Sequence, residues 1–242
     1  MNDFVIALKR FVKLFFPNRC EFCGDVIEFN KTVCKDCENL PKIASPICEN
    51  CGKSKNECDC KNRKNEYKMI VAPYYYRDKV VKAVHRYKES EMRFLSERFG
   101  RDISNCVKNH YSDISFDVVT FVPMRKWDIR KRGYNQSEIL AKIVSNNIDV
   151  ELMNLLVKTH RTKPQKRSTA RERKVNVFGA FDVSDKEYVN GKTILLIDDI
   201  KTTGSTLNEC AKMLKIYGAK EVYCAALAVV NNKNNKKQIG SN

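Results

Sequence analysis

Eight of the eleven cysteines form a spaced series: Cys20-x2-Cys23, Cys34-x2-Cys37, Cys48-x2-Cys51 and Cys58-x-Cys60. Two thiolates two residues apart sit on one tight turn and reach the same ion, and two such pairs complete the tetrahedron that zinc takes. The spacing predicts structural zinc, one or two ions, with Cys20, Cys23, Cys34 and Cys37 around one and Cys48, Cys51, Cys58 and Cys60 around the other. The protein then fills every coordination position and leaves none open for water, so this segment is a structural module and not a catalyst. Disulfides are the alternative; they need an oxidising compartment, and no secretory signal is readable. Cys106, Cys210 and Cys224 lie outside the series and read as buried or half-buried thiols.

A second constellation is ILLIDDIKTTGST, residues 194 to 206. The branched apolar run reads as a buried strand with Asp198 and Asp199 at its end. Lys201, Thr202, Thr203, Gly204, Ser205 and Thr206 then turn into a helix. The amides of such a turn, with its hydroxyls, form a phosphate cradle at the positive end of the helix, and Gly204 lets the backbone come close to the anion. The two carboxylates cannot bind that phosphate. They accept hydrogen bonds from sugar hydroxyls or join a magnesium shell. The chemistry expected is recognition of a sugar phosphate; with no GxxxxGK[ST] motif, a Walker-type nucleotide site is excluded.

Charge points to polyanionic partners, since 45 lysines and arginines face 29 acids in 242 residues, a formal net charge of +16. Much of it is concentrated in residues 125 to 132 and 158 to 174, each beside an apolar run. At the N-terminus, Phe4, Leu8, Phe11 and Phe15 form one helical stripe interrupted by Lys9, Arg10 and Lys13. That is too short and too charged to span a bilayer. The helix either docks on the protein's own core or lies on an anionic membrane surface, which makes the expected location cytoplasmic or membrane-peripheral, without stable insertion.

The elements that must hold these groups alternate. Strands are expected over 69 to 76, 117 to 123, 193 to 198 and 221 to 230, and helices over 78 to 88, 91 to 107, 136 to 145 and 205 to 217. Asn135 and Glu138 frame the third helix as a capping box, and Gly218 ends the fourth. This pattern predicts an α/β fold with a doubly wound parallel sheet, whose ligands bind beyond the carboxyl ends of the strands. The expected organisation is an amphipathic helix over 1 to 17, a zinc-ribbon module over 18 to 64, an α/β domain over 65 to 230 and a disordered tail over 231 to 242.

Residues 194 to 206 resemble the 5-phosphoribosyl-1-pyrophosphate (PRPP) fingerprint of type I phosphoribosyltransferases, with Lys201 standing where that family usually has an apolar residue. Together with VPMRKWDIRKRGYNQSEILA (122 to 141), RTKPQKRSTARERKVNVFGAF (161 to 181) and the cysteine-rich N-terminus, the chain resembles the ComF family of competence proteins along nearly its whole length. The resemblance implies a zinc ribbon ahead of a phosphoribosyltransferase-type sheet, in a cytosolic protein needed for DNA uptake in natural transformation. It implies that Asp198 and Asp199 hold the ribose hydroxyls and Thr202 to Thr206 the 5-phosphate. Arg130, Lys131 and Arg132 stand where these enzymes hold pyrophosphate with magnesium, and Lys163 to Arg173 occupy the place of their mobile loop. Any chemistry would be displacement at the anomeric carbon, carried by Asp198, Asp199, Arg130 and Arg132 without a protein nucleophile.

Two classes of function stay open. In one, the chain handles DNA: Lys163, Lys166, Arg167, Arg171 and Arg173 bind single-stranded DNA, PRPP is a structural or regulatory ligand, and the DNA-translocating helicase of the uptake machinery is a partner. Trp127, Tyr134 and Tyr74 to Tyr76 then either stack on bases or pack in the core. In the other, the chain is a working transferase, and no residue names its acceptor. His85 and His160 fall in no matched motif and read as surface or packing residues.

Overall fold

The structure, a computed structural model, describes residues 17–28, 30–60, 64–89, 93–159 and 180–231. Its centre is a pair of long apolar strands, β6 (Thr193–Lys201) and β7 (Glu221–Val229). β3 (Val118–Phe121) flanks β6, while β1 (Ile70–Val71) and β2 (Tyr74–Tyr75) together flank β7. All pairs are parallel, in the order β1-β7-β6-β3.

Alternation along β6 sorts side chains to two faces. Leu195 and Ile197 pack with α2 (Asp78–Glu89), α3 (Arg93–His110) and α5 (Gln136–Ile148). Ile194 and Leu196 pack with α7 (Ser205–Ile216) and with the antiparallel pair β4 (Leu156–Lys158) and β5 (Phe181–Val183). A strand covered on both faces reads as a continuous apolar run, which is why this one was legible. The fold is the expected α/β arrangement with a parallel sheet behind a cysteine-rich module.

Four local differences have physical causes. The single strand expected over 69 to 76 is split at Pro73, which cannot donate to a ladder; its carbonyl instead accepts from Ile43 N at 2.9 Å. β6 does not stop at the acids but pairs with β7 as far as Lys201. The segment after Pro123 contains a short helix, α4 (Lys126–Arg132), closed by Gly133, whose N–H returns to Ile129 O at 2.6 Å. β4, β5 and α6 (Lys186–Val189) have no counterpart in the sequence reading, because three- and four-residue elements carry no measurable period.

The cysteine-rich segment, with its one-turn helix α1 (Lys35–Glu38), is fastened to the sheet domain. Phe22 meets Phe99 edge-on at 5.3 Å, Arg98 donates to Cys37 O at 2.8 Å, and Ile70 N donates to Glu49 O at 2.9 Å. Cys20, Phe22, Cys23, Cys37, Ile43 and Ile47 belong to the same buried cluster as Leu195 and Leu227. A segment too poor in large apolar residues to bury a core of its own shares the sheet's. Among the described residues no helix is long and apolar enough to cross a membrane. The expected N-terminal helix and nearly all of the expected tail lie outside the described residues.

Candidate ligand site and metal centres

β6 outlasts its neighbour. Its last pairing with β3 joins Ile197 to Phe121, and Val122 N still reaches Ile197 O at 3.0 Å. From Asp198 onward only β7 lies alongside, and the N-terminus of α5 comes against the first acid. Asn135 fixes that approach: its Nδ2 donates to Val122 O at 3.1 Å and its Oδ1 caps α5 by accepting from Ser137 N at 3.1 Å. Ser137 Oγ then donates to Asp198 Oδ1 at 3.0 Å, an oxygen that also accepts from Asp199 N at 2.9 Å. Asp199 accepts from Ile200 N through Oδ1 at 2.6 Å and pairs through Oδ2 with Lys88 Nζ at 2.7 Å.

The two acids are unlike. Asp198 is only 8% exposed, and burial, reinforced by the neighbouring Asp199 charge, pushes its pKa up to about 8 against the help of Ser137, the Asp199 amide and Lys88. Near neutral pH the site presents a protonated carboxyl beside a carboxylate, so one member donates and accepts while the other only accepts. That combination suits a vicinal diol, whose hydroxyls both donate and accept.

A raised carboxyl pKa costs stability with a definite sign. The folded chain keeps a proton on Asp198 that the unfolded chain has released, so stability falls as pH climbs from about 4 towards 8 and levels off above. Asp198→Asn removes this term. The variant should melt several degrees above wild type at pH 8, with a flatter stability profile between pH 5 and 8. Parallel melts of the two proteins across that range check it; equal slopes would mean that Asp198 ionises as an ordinary carboxyl.

Beyond the strand, Thr202, Thr203, Ser205 and Thr206 are exposed, with Thr203 Oγ1 2.9 Å from Ser205 Oγ and accepting from Ser205 N at 3.3 Å. Gly204 is the N-cap of α7 and offers no side chain to its first amides. Apart from the Thr203 contact to Ser205 N, no side chain of the N-cap residue covers the first amides, and the helix's positive end faces the exposed turn, where an anion can meet it. Gly204 is required twice: its φ is +84°, and a Cβ there would lie 2.9 Å from Lys201 Cε. Lys201, the departure from the fingerprint, is 6% exposed and runs beneath the turn, its Nζ 3.4 Å from the same point. The ammonium therefore lies under the cradle, where it adds positive charge.

Arg130, Lys131 and Arg132 are exposed on α4. Arg132 Nη1 donates to Gln136 Oε1 at 3.2 Å, and neither Arg130 nor Arg132 bonds to the acids. Trp127, on the same short helix, is 73% exposed. Tyr74 and Tyr75 are buried, and Tyr134 is half-buried with its hydroxyl donating to Tyr87 O. Of the aromatics weighed for stacking, Trp127 is the one that stands out in solvent. His85 is exposed, its Nε2 3.5 Å from Tyr76 Oη. Lys163, Lys166, Arg167, Arg171, Arg173 and His160 lie outside the described residues. Sequence reasoning missed Lys88, which sits in no motif, and Ser137, whose place in NQS was visible but whose partner was not.

The thiols gather as their spacing predicts. The sulfurs of Cys20, Cys23, Cys34 and Cys37 lie within 4.8 Å of one another, as do those of Cys48, Cys51, Cys58 and Cys60. Cys23 N and Cys34 N both point at Cys20 Sγ, at 3.5 and 3.4 Å. Burial alone would raise the Cys20 thiol, but these donors outweigh it and bring it to about 7. Burial pushes Cys23 up to about 11 and Cys37 higher still, because four adjacent thiols cannot all ionise without a cation among them. Two closed four-sulfur sets of this size fit tetrahedral zinc.

Residues 11–66 match the double zinc ribbon domain and residues 134–240 the phosphoribosyl transferase domain. The chain is 26% identical to Competence protein F of Haemophilus influenzae over 88% of its own length and 98% of the relative's. It is 29% identical to Competence protein ComFC of Streptococcus pneumoniae, covering 84% of the chain and 96% of that protein. It is 27% identical to the DNA utilization protein YhgH of Escherichia coli, covering 85% and 88%. With two four-cysteine sets leading into a phosphoribosyltransferase-type sheet, and competence proteins matched over most of their length, the chain is similar over most of its own length to the ComF competence proteins.

Proposed function

We propose that the protein is a cytoplasmic component of DNA uptake that binds magnesium-PRPP at the acid pair and turn, and single-stranded DNA on an adjoining basic surface. The observation that carries this reading is the junction of the buried Asp198 and its neighbour Asp199 with the glycine-led α7 N-terminus a few residues on. Asp198 and Asp199 hold the ribose hydroxyls. Thr202 to Thr206 hold the 5-phosphate over Lys201, and magnesium and the α4 arginines balance the pyrophosphate charge. A rise in melting temperature with magnesium-PRPP, absent with either component alone, tests this half.

Trp127 supports the DNA half. It is the chain's one tryptophan, and it lies exposed among Arg125, Lys126, Arg130, Lys131 and Arg132. An exposed indole within a basic cluster offers a base a face and its phosphates counter-charge. Single-stranded DNA should quench its emission. Trp127→Ala should weaken binding about 10- to 100-fold, the worth of one stacked base, and leave the salt slope unchanged. Replacing Lys166, Arg167 and Arg171 by alanine should instead flatten that slope, because fewer counterions are released. Wild-type affinity in Trp127→Ala would remove the indole from the interface.

An active transferase is the second reading, favoured by the fact that the acid pair is complete and held in place by Ser137. PRPP-dependent release of pyrophosphate, screened across candidate bases, separates it from a binding role.

A further inference from the structure

Three consecutive side chains in the last turn of α2 project in three directions, about 100° apart, and each meets a different part of the molecule. Arg86 Nη1 donates to Cys20 O at 2.7 Å and lies so close over Gly24 that a Cβ there would be 2.8 Å from it. Tyr87 is edge-on to Phe99 at 5.5 Å, the ring that Phe22 of the first cysteine cluster also meets, and its hydroxyl donates to Gln136 O at 3.0 Å. Lys88 pairs with Asp199. Earlier in the same helix Lys79 and Lys82 both pair with Asp25, beside that cluster. The helix is thus bolted to the first cysteine set at several points, and its far end delivers an ammonium to the acid pair.

We infer that Lys88 is a positioning residue for Asp199, and that the first cysteine cluster holds it there through Arg86. Its functional half rests on the ligand reading above. Asp199 is half-buried beside another acid, so its side chain needs a fixed partner to stay aimed. Lys88 is that partner and leaves lone pairs on Asp199 for a diol. The second cluster reaches the phosphate turn instead: Tyr67 Oη donates to its Asn50 O at 2.8 Å and lies 3.5 Å from where a Gly204 Cβ would be. Metal loss at the first set should therefore disturb diol binding before anion binding.

The test has two arms. The first needs no ligand: a double-mutant cycle of Lys88→Met and Asp199→Asn by urea unfolding of the full chain, repeated in an Arg86→Met background. The double variant should lose much less than the sum of the singles, and Arg86→Met should at least halve that coupling while elemental analysis still finds two zinc ions. Additive losses, or a coupling that Arg86→Met leaves intact, would overturn the inference. In the second arm, Lys88→Met should weaken magnesium-PRPP binding about tenfold, as loss of one charge-assisted bond predicts. Lys88→Arg should recover most of it, and affinity for inorganic phosphate should not change. Equal PRPP affinity in wild type and Lys88→Met also overturns the inference. A wild type that binds no PRPP defeats the ligand reading instead, and the first arm still decides the positioning.

Discussion

Removing zinc with a chelator should unfold the sheet together with the ribbon, in one cooperative transition. Structural zinc contributes about 10–16 kcal/mol in small modules, against about 5–15 kcal/mol for the net stability of a whole domain. No packing boundary confines that loss, because Phe22, Ile43 and Ile47 share a buried cluster with Leu195 and Leu227. Cys37→Ser should act in the same direction, lowering the melting temperature by more than about 10 °C. Its sulfur is buried among three others, and a serine oxygen there is both a poor ligand and a desolvated polar group. Circular dichroism melts with and without chelator, read alongside zinc content, decide the matter. Two separated transitions, with the sheet melting at its usual temperature, would show that the ribbon is an independent appendage.

Gly204→Val should abolish ligand binding, reducing magnesium-PRPP affinity by more than about 100-fold. A β-branched residue at φ +84° is strained by about 1–3 kcal/mol, and its Cβ would meet Lys201 Cε at 2.9 Å, forcing the buried ammonium away from under the turn. Even with the turn intact, the branched side chain blocks the approach of phosphate to the amides of α7. The fold should persist, since the strain is a fraction of domain stability. Binding of single-stranded DNA at Trp127 should remain and serves as the control. Calorimetry with magnesium-PRPP measures the loss; wild-type affinity in this variant would put the phosphate elsewhere.

The parts of this site that the sequence made legible are those whose partners are local. The cysteine ligands lie two residues apart, and Asp198 to Thr206 pass from strand to turn to helix without a break, so composition and order suffice. Lys88 was invisible because nothing near it in the chain calls for a carboxylate; only the packing of α2 against both the ribbon and the sheet brings it to Asp199. The docking of the ribbon was hidden for a similar reason. Phe22, Ile43 and Ile47 are too few for a core and become one only when another segment supplies the rest. Trp127 was undecided between packing and stacking, and α4 settles its exposure: seven residues with arginine and lysine on most sides leave no apolar face to bury.

The position of β7 bears on how the chain is made. Both its neighbours, β1 and β6, precede it in sequence, and it lies between them. On the ribosome neither edge can close until residues 221–229 have emerged, so the parallel sheet is a late, non-local event of high contact order. Until then the ribbon can lean on α2 and α3 but lacks the finished sheet behind them, and bound metal carries a larger share of its compactness. Cells short of zinc during synthesis should therefore accumulate aggregated chains, even where protein completed earlier keeps its metal and survives.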